Sequence, residues 1–307
     1  MSVIADRQNS AEILSLIRAM SAAHARVQRL EAGRLLVSAL VALSSVVGAV
    51  VPSAASTVAA VGAGWALLHG LGVSVWIQQG VLRAATMQEL FDVTLFRMEW
   101  NTVLAGDQPS AAEVSGLARR YRGPEDMVTD YYEIGDYRDL PSPFDVLACQ
   151  MQNLNWGVRI RRRYASGLLA VVVGWSLAGI AVGVLLDLSL GRLLLIWYLP
   201  ALGALLMASD IYRRQRDTTA TRSRVLSLVR ARIRDSLRRP GPSDDLMIMA
   251  RQVQDVIFVT RRTQARVPAW FFQRFRRQDR VDFQREVGEL AHSIAREGPG
   301  SPPLPSP

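Results

Sequence analysis

Three stretches of this chain carry no Asp, Glu or Arg: the residues between Arg34 and Arg83, between Arg163 and Asp187, and between Arg192 and Asp210. Elsewhere charge is dense. A soluble domain of 307 residues would interleave apolar and polar residues at a helical or strand period around one core. Segregation of this kind favours a bilayer as the solvent for the apolar runs. The first stretch divides at Pro52-Ser53-Ala54-Ala55-Ser56, a turn signal, into Leu35–Val51 and Thr57–Ile77. The other two, Ala165–Leu186 and Leu193–Ser209, flank a short link at Asp187–Gly191. At about 1.5 Å per residue each run reaches roughly 25–30 Å, enough to cross a hydrocarbon core. Links of about five residues make the joined helices antiparallel neighbours, which predicts two transmembrane hairpins. Pro200 sits inside the fourth run and is expected to bend it.

The placement of arginine predicts the topology. The chain has no Lys, and its 36 basic residues against 27 acidic ones give a formal charge of +9. Arg26, Arg29 and Arg34 precede the first apolar run and Arg83 follows the second. Arg159, Arg161, Arg162 and Arg163 precede the third, and Arg213, Arg214 and Arg216 follow the fourth. The links between paired runs hold only Asp187 and Arg192. By the positive-inside rule, both termini and the segment between the hairpins face the cytoplasm, in a multi-pass membrane protein. A binder of nucleic acid polymers would gather its arginines on one module instead of bracketing apolar helices. The flanking arginines read as topology determinants in contact with lipid headgroups of the bilayer.

The expected fold class is therefore an all-α integral membrane protein with four spans and a largely helical cytoplasmic region. Residues 1–34 form an N-terminal amphipathic segment, with Ile13, Leu14, Ile17, Met20 and Val27 at helical spacing. Residues 35–77 are the first hairpin. Residues 78–164 form a cytoplasmic insert, with helices at Gln78–Glu89 and Ala111–Arg120 and loops at Ala105–Ser110 and Pro141-Ser142-Pro143. Residues 165–209 are the second hairpin, and 210–297 an Arg-rich helical region. In that region Val225, Val229 and Ile233 mark one helix over Arg222–Arg239; Leu246, Met249, Val253, Val256 and Ile257 mark another. The Pro/Gly/Ser-rich residues 298–307 read as a disordered tail.

Catalytic chemistry has no visible carrier, so the chain is read as a non-enzyme without metal or cofactor. There is no phosphate-binding Gly loop, nucleophile elbow or zinc-protease helix. His24, His69 and His292 fall in separate segments, and the one cysteine, Cys149, excludes an intrachain disulfide. Glu125, Asp126, Asp130, Glu133, Asp136 and Asp139 read as a solvated acidic loop. The spans are more informative. Gly62, Ala66, Gly70 and Ser74 recur every four residues on the second run, and Gly179 and Gly183 form a small-xxx-small pair on the third. Such residues let helix backbones approach closely in lipid, here either the first helix on the second or one subunit on another. His69 is the one ionisable residue well inside a run; a neutral bond to Ser44 or Ser45, or a place on a pore, is the expectation. Trp76, Trp197 and Tyr198 read as interfacial anchors or packing aromatics.

Several short patterns, taken in order, resemble the SMODS-associating four-transmembrane (S-4TM) family of pore-forming effectors in bacterial cyclic-oligonucleotide anti-phage (CBASS) systems. They are Arg7-Gln8-Asn9, Gln88-Glu89-Leu90-Phe91-Asp92, Glu99-Trp100-Asn101, Ala118-Arg119-Arg120-Tyr121 and Asp130-Tyr131-Tyr132. Cys149-Gln150 with Asn153 and Trp156, Arg161-Arg162-Arg163-Tyr164, and Gln254, Ile257 and Arg261 ahead of Pro268-Ala269-Trp270-Phe271 complete the set. The similarity runs from Arg7 to about Val287. The chain departs from the family pattern at Glu133, where Pro is usual, and at Gly157, where an acid is usual. The resemblance implies a membrane effector kept silent until a cyclic oligonucleotide, its activating ligand, is made. It would then oligomerise with copies of itself, or open, and breach the inner membrane. Arg119, Arg120 and Tyr121 with Asp130, Tyr131 and Tyr132 are the candidate sensing residues, arginines for phosphates and tyrosines for bases. The alternative is a non-conducting membrane scaffold or receptor that recruits a cytosolic partner, served by the stripe from Leu246 to Ile257. A small transporter is disfavoured, since the spans lack charge pairs and inverted repeats.

Overall fold

In the computed structural model, residues 3–132, 140–155, 158–238, 243–265, 267, 268 and 271 are described. A short helix α1 (Val3–Arg7) leads to α2 (Ala11–Val50), which has 40 residues and a length of about 60 Å. The amphipathic segment and the first span are thus one rod. Nothing between Arg26 and Leu40 breaks it: Gly33 is the sole helix-weakening residue there, and no Pro intervenes. After a 3-10 turn at Pro52–Ala54, α3 (Ala55–Leu68) passes through a π turn at His69–Val73 into α4 (Ser74–Phe96). Gly70 and Gly72 lie within that turn, where the helix is intrinsically weakest. Then follow α5 (Thr102–Ala105), α6 (Ala111–Ala118), α7 (Phe144–Asn155), α8 (Val158–Leu185) and α9 (Leu190–Leu193). The last two helices are α10 (Leu199–Arg238) and α11 (Ser243–Thr263). A second π turn, Leu194–Tyr198, sits immediately before Pro200. There the Leu199 amide bonds back to the Leu194 carbonyl, so the irregularity expected from Pro200 is absorbed upstream of the proline.

Among the described residues, four helices are long and apolar enough to cross a membrane. Their outward faces carry large apolar side chains that no protein covers, among them Leu40, Leu68, Leu71, Leu177, Val184, Leu194 and Leu206. A belt of this size in water would aggregate; in a bilayer it is solvated. The spans do not pack as two separate pairs. The second span packs on both the first and the fourth, the fourth packs on the first, and the third leans on the fourth. Trp65 Nε1 donates to Ser38 Oγ at 2.9 Å, and Ser38 Oγ in turn points at Met207 Sδ at 3.7 Å, tying spans two, one and four together. The third span is held by Trp175 stacked on Trp197 (4.8 Å) and by Tyr198 Oη donating to the Ser176 carbonyl at 2.8 Å. Trp197 and Tyr198 are therefore packing aromatics, whereas Trp76 is exposed.

The other halves of α2, α4 and α10 enter a large extramembrane domain. Its core brings together Ile13, Ile17 and Met20 from α2, Met87, Phe91 and Leu95 from α4, Leu147, Met151 and Leu154 from α7, Val229 and Ile233 from α10, and Val253 and Ile257 from α11. Gly80 lets α4 lie close on α2, since a Cβ there would stand 3.1 Å from Val27 Cγ2. Two expectations are corrected here. The helix expected at Gln78–Glu89 continues without a stop from the second span to Phe96, where Arg97 ends it in a left-handed conformation. The stripe from Leu246 to Ile257, expected to serve partner recruitment, lies largely in the core: Leu246, Val253 and Ile257 are buried. The expected tail, residues 298–307, lies outside the described residues.

Candidate functional site

Where α4, α7 and α11 meet the chain at Tyr132, four side chains close a ring of hydrogen bonds. Arg261 pairs with Asp92 through Nη1, and its Nη2 donates to Asn153 Oδ1 at 2.9 Å. Asn153 Nδ2 donates to Tyr132 Oη at 2.6 Å, and Tyr132 Oη donates to Asp92 Oδ1 at 2.7 Å. Asp92 and Arg261 are 0% and 3% exposed. One turn from this ring, Gln254 Nε2 reaches Glu89 Oε2 (2.8 Å) and Asp92 Oδ2 (3.0 Å). Arg251 Nη2 bridges Glu89 Oε1 (2.8 Å) and Asp255 Oδ1 (2.6 Å). Glu89, Asp92 and the pair Arg251, Arg261 are thus stacked along two facing helices, each acid with its own base. Burial opposes the charge on Arg261, but Asp92 and the adjacent tyrosines outweigh it and hold its pKa above the ordinary value. Burial likewise raises Glu89, against the pull of Arg251. A buried, fully bonded ion pair fixes geometry more than it adds stability, and losing one partner is costly. We refer to this network as the latch.

A second knot joins the third span to the same domain. Arg161 Nη1 donates to Gln215 Oε1 (2.9 Å) and the Ala265 carbonyl (3.2 Å), and its Nη2 to Gln264 Oε1 (2.6 Å). Buried Arg222 donates to Thr260 Oγ1, Gln264 Oε1 and the Asn153 carbonyl at 3.2–3.4 Å. Burial pulls its pKa well below the ordinary value, and the neighbouring charges of Arg161 and Arg261 add to that. Beside the knot opens a cleft of about 760 Å³ lined by Asn101, Arg214, Asp217, Thr218, Thr221, Asp255, Thr260 and Thr263, with Val103 and Val259 among its apolar walls. Its volume is that of a small-molecule site. Arg214, Asp217 and Asp255 place charges of both signs on its lining, with Asp255 already paired to Arg251.

The residues singled out in the sequence are dispersed. Arg119 and Arg120 follow directly after α6, both exposed. Tyr121 is half-buried and donates to the Pro124 carbonyl at 2.8 Å. Asp130 is held by the first turn of the chain: Asn9 Nδ2 donates to its carboxylate (2.9 Å) and its own amide donates to Asn9 Oδ1 (3.0 Å). The Tyr132 amide donates to Gln8 Oε1 at 3.1 Å. Tyr132 is buried, its ring stacked near Phe91 and its hydroxyl committed to the latch. Tyr131 meets Phe91 edge-on, its hydroxyl accepts from Gln88, and burial pushes its pKa up to about 12. Of the six sensing candidates, Arg119, Arg120 and Asp130 are exposed, Tyr121 and Tyr131 are partly buried, and Tyr132 is enclosed.

In the spans, Gly62 packs on the fourth helix and not on the first: a Cβ there would fall 2.2 Å from Pro200 Cα. Ala66 faces Gly203, while Gly70 has open space around it and Ser74 bonds back to the Gly70 carbonyl. The four small residues therefore do not act as one seam. Gly179 and Gly183 receive Trp197 and Leu193. His69 lines a small cavity with Glu31, Arg34, Asp210 and Arg214, and its Nε2 has no partner. The expected bonds to Ser44 and Ser45 are not formed, because each serine bonds to a carbonyl of its own helix, Val41 and Ala42. Of the acidic stretch, Glu125 pairs with Arg18 at 2.6 Å; Glu133, Asp136 and Asp139 lie outside the described residues, as do Trp156, Gly157, Ala269 and Trp270.

The motif residues, scattered over about 250 positions of the sequence, thus meet in one region of space: Gln8 and Asn9 with Asp130 and Tyr132, Glu89 and Asp92 with Gln254 and Arg261, and Asn153 between them. Arg222 and α7 were missed by reading the sequence; the only signal was the amide-rich Gln150, Gln152, Asn153 run. A Bacillus cereus (strain VD146) protein named "Probable CBASS effector molecule" is 23% identical over 274 residues, covering 87% of this chain and 91% of its own length. No solved structure matches the chain. The family described as "SMODS-associating 4TM effector domain" matches residues 2–290, and the chain belongs to that family.

Proposed function

We propose that this protein is an inner-membrane effector of bacterial anti-phage defence that a cyclic oligonucleotide switches from a latched to an open or oligomeric state, disrupting the membrane. The family and the named relative support the defence role and the membrane setting. The observation that carries the switch is mechanical. The first, second and fourth spans run on as α2, α4 and α10 into the extramembrane core, and the latch joins α4 to α7 and α11. A displacement of the domain reaches the spans through helices, not through flexible linkers. Four spans enclose no wide lumen, so conduction requires several copies or a rearrangement, and a latch that must break supplies the silent state. With arginines flanking every span on the domain side, that side is cytoplasmic, with both termini inside.

Arg119 and Arg120, adjacent and exposed, are the phosphate-reading candidates. Replacing both by Ala is expected to abolish toxicity triggered by co-expressed cyclic-oligonucleotide synthesis while leaving membrane insertion intact. Triggering that persists in the double variant rejects the assignment. The second reading, a non-conducting scaffold, rests on Leu228 and Ile248, apolar and more than half exposed on the extramembrane helices.

A further inference from the structure

The third span touches the fourth along two different seams. Toward the linked ends of the two spans, Gly179 and Gly183 bring the backbones together around Trp197 and Leu193. Toward the extramembrane domain, Tyr164 is buried against Met207 and Ile211. Beside that second contact the helices leave an open groove of about 410 Å³, because Ala208 is too short to meet Leu169 and Val172 across it. Ser209, Tyr212 and Arg213 close the domain end of the groove. Its wall is thus apolar above and polar and cationic below, over the six residues from Ala208 to Arg213, about 7.5 Å of helix.

We propose that this groove is a binding site for an anionic phospholipid, with one acyl chain against Leu169, Val172 and Ala208 and the phosphate at Arg213. Charge argues for the headgroup. Arg216 lies one turn beyond, its guanidinium 6.0 Å from the centre of the Tyr212 ring, and both Arg213 and Arg216 are exposed. Arg162, also exposed, sits seven residues before Leu169 and therefore on the same face of α8. Arg214, by contrast, is turned inward and bound to Asp210 at 2.9 Å. The cationic cluster at the groove mouth stands where the apolar belt ends, the depth of a lipid phosphate. A zwitterionic headgroup offers the same phosphate but brings a quaternary ammonium that the cationic cluster repels, whereas an anionic one brings no such cation. The site is independent of nucleotide sensing; it fixes the third span, which leans on the fourth, to the bundle through a lipid wedge.

Native mass spectrometry of the full chain in detergent, titrated with phosphatidylglycerol or phosphatidylcholine, tests this. The expected result is one retained phosphatidylglycerol, bound at least about tenfold more tightly than phosphatidylcholine, a ratio of the size expected from one or two arginines near an anionic headgroup. Arg213→Ala with Arg216→Ala should erase the preference, and Ala208→Phe, which fills the groove but keeps the arginines, should abolish retention of either lipid. Both variants should keep the wild-type circular dichroism. Equal binding of the two lipids by the wild type, or unchanged retention in a folded Ala208→Phe chain, overturns the proposal, leaving annular lipid only.

Discussion

Arg261 sits 169 residues from the aspartate it neutralises, and that separation explains much of what a linear reading misses. From sequence, an arginine near an apolar run is a topology label; Arg222 and Arg261 are buried instead and Arg161 partly so, because α7 and α11 pack against the helices that extend from the spans. The motif residues were visible as patterns, but their common role as one hydrogen-bonded ring is a property of three-dimensional closure. Arg261→Ala leaves Asp92 charged and unpaired in the core, and is expected to destabilise the domain by about 3–5 kcal/mol in chemical denaturation of the detergent-solubilised chain. Asp92→Asn with Arg261→Met, removing both charges, should cost clearly less than Arg261→Ala. Glu89 gives a pH signature. Its folded pKa is raised by burial above the ordinary 4.5, so the folded state binds the proton more tightly than the unfolded one. Its contribution is fully present below the ordinary value and is lost as pH climbs through the raised one. Stability of the wild type relative to Glu89→Gln should therefore fall across that window; a difference independent of pH would contradict the shift.

Helices were legible where apolar periodicity or charge-free length announced them, and their limits were not. The charge boundary at Arg34 divides water from lipid, yet a helix has no reason to end there without a Gly–Pro break or cap, so α2 runs through it. The same holds at Ser209 within α10. Helix α7 was missed because Gln150 and Gln152, both buried, and the partly buried Asn153 interrupt the apolar periodicity by which the other helices were recognised. Small residues on the second span were legible as a stripe, while their partner was not: Gly62 fits under Pro200 on the fourth span, and Gly70 faces open space. Gly62→Leu should therefore overpack the bundle and lower stability by about 1–3 kcal/mol or more. Gly70→Leu should change it by less than about 0.5 kcal/mol. Thermal unfolding of both variants in one detergent separates these outcomes, and equal effects would refute the packing assigned to Gly62.

At the scale of the molecule, segregated charge identified four spans and the domain side, but not the arrangement in which spans one, two and four form the bundle and span three leans on its flank. That order depends on shape, on Gly62 against Pro200 and on Gly179 against Trp197, which hydropathy does not encode. It also makes the third span the element with least to lose on moving outward. In the proposed switch, the domain holds the spans shut until a cyclic oligonucleotide releases it. Leakage of an encapsulated dye from liposomes containing the purified full chain tests this most directly. Addition of the activating member of a panel of cyclic di- and trinucleotides should release the dye, with no release before addition or from protein-free vesicles. Liposomes that stay sealed across the whole panel, with the protein inserted and folded, would contradict it.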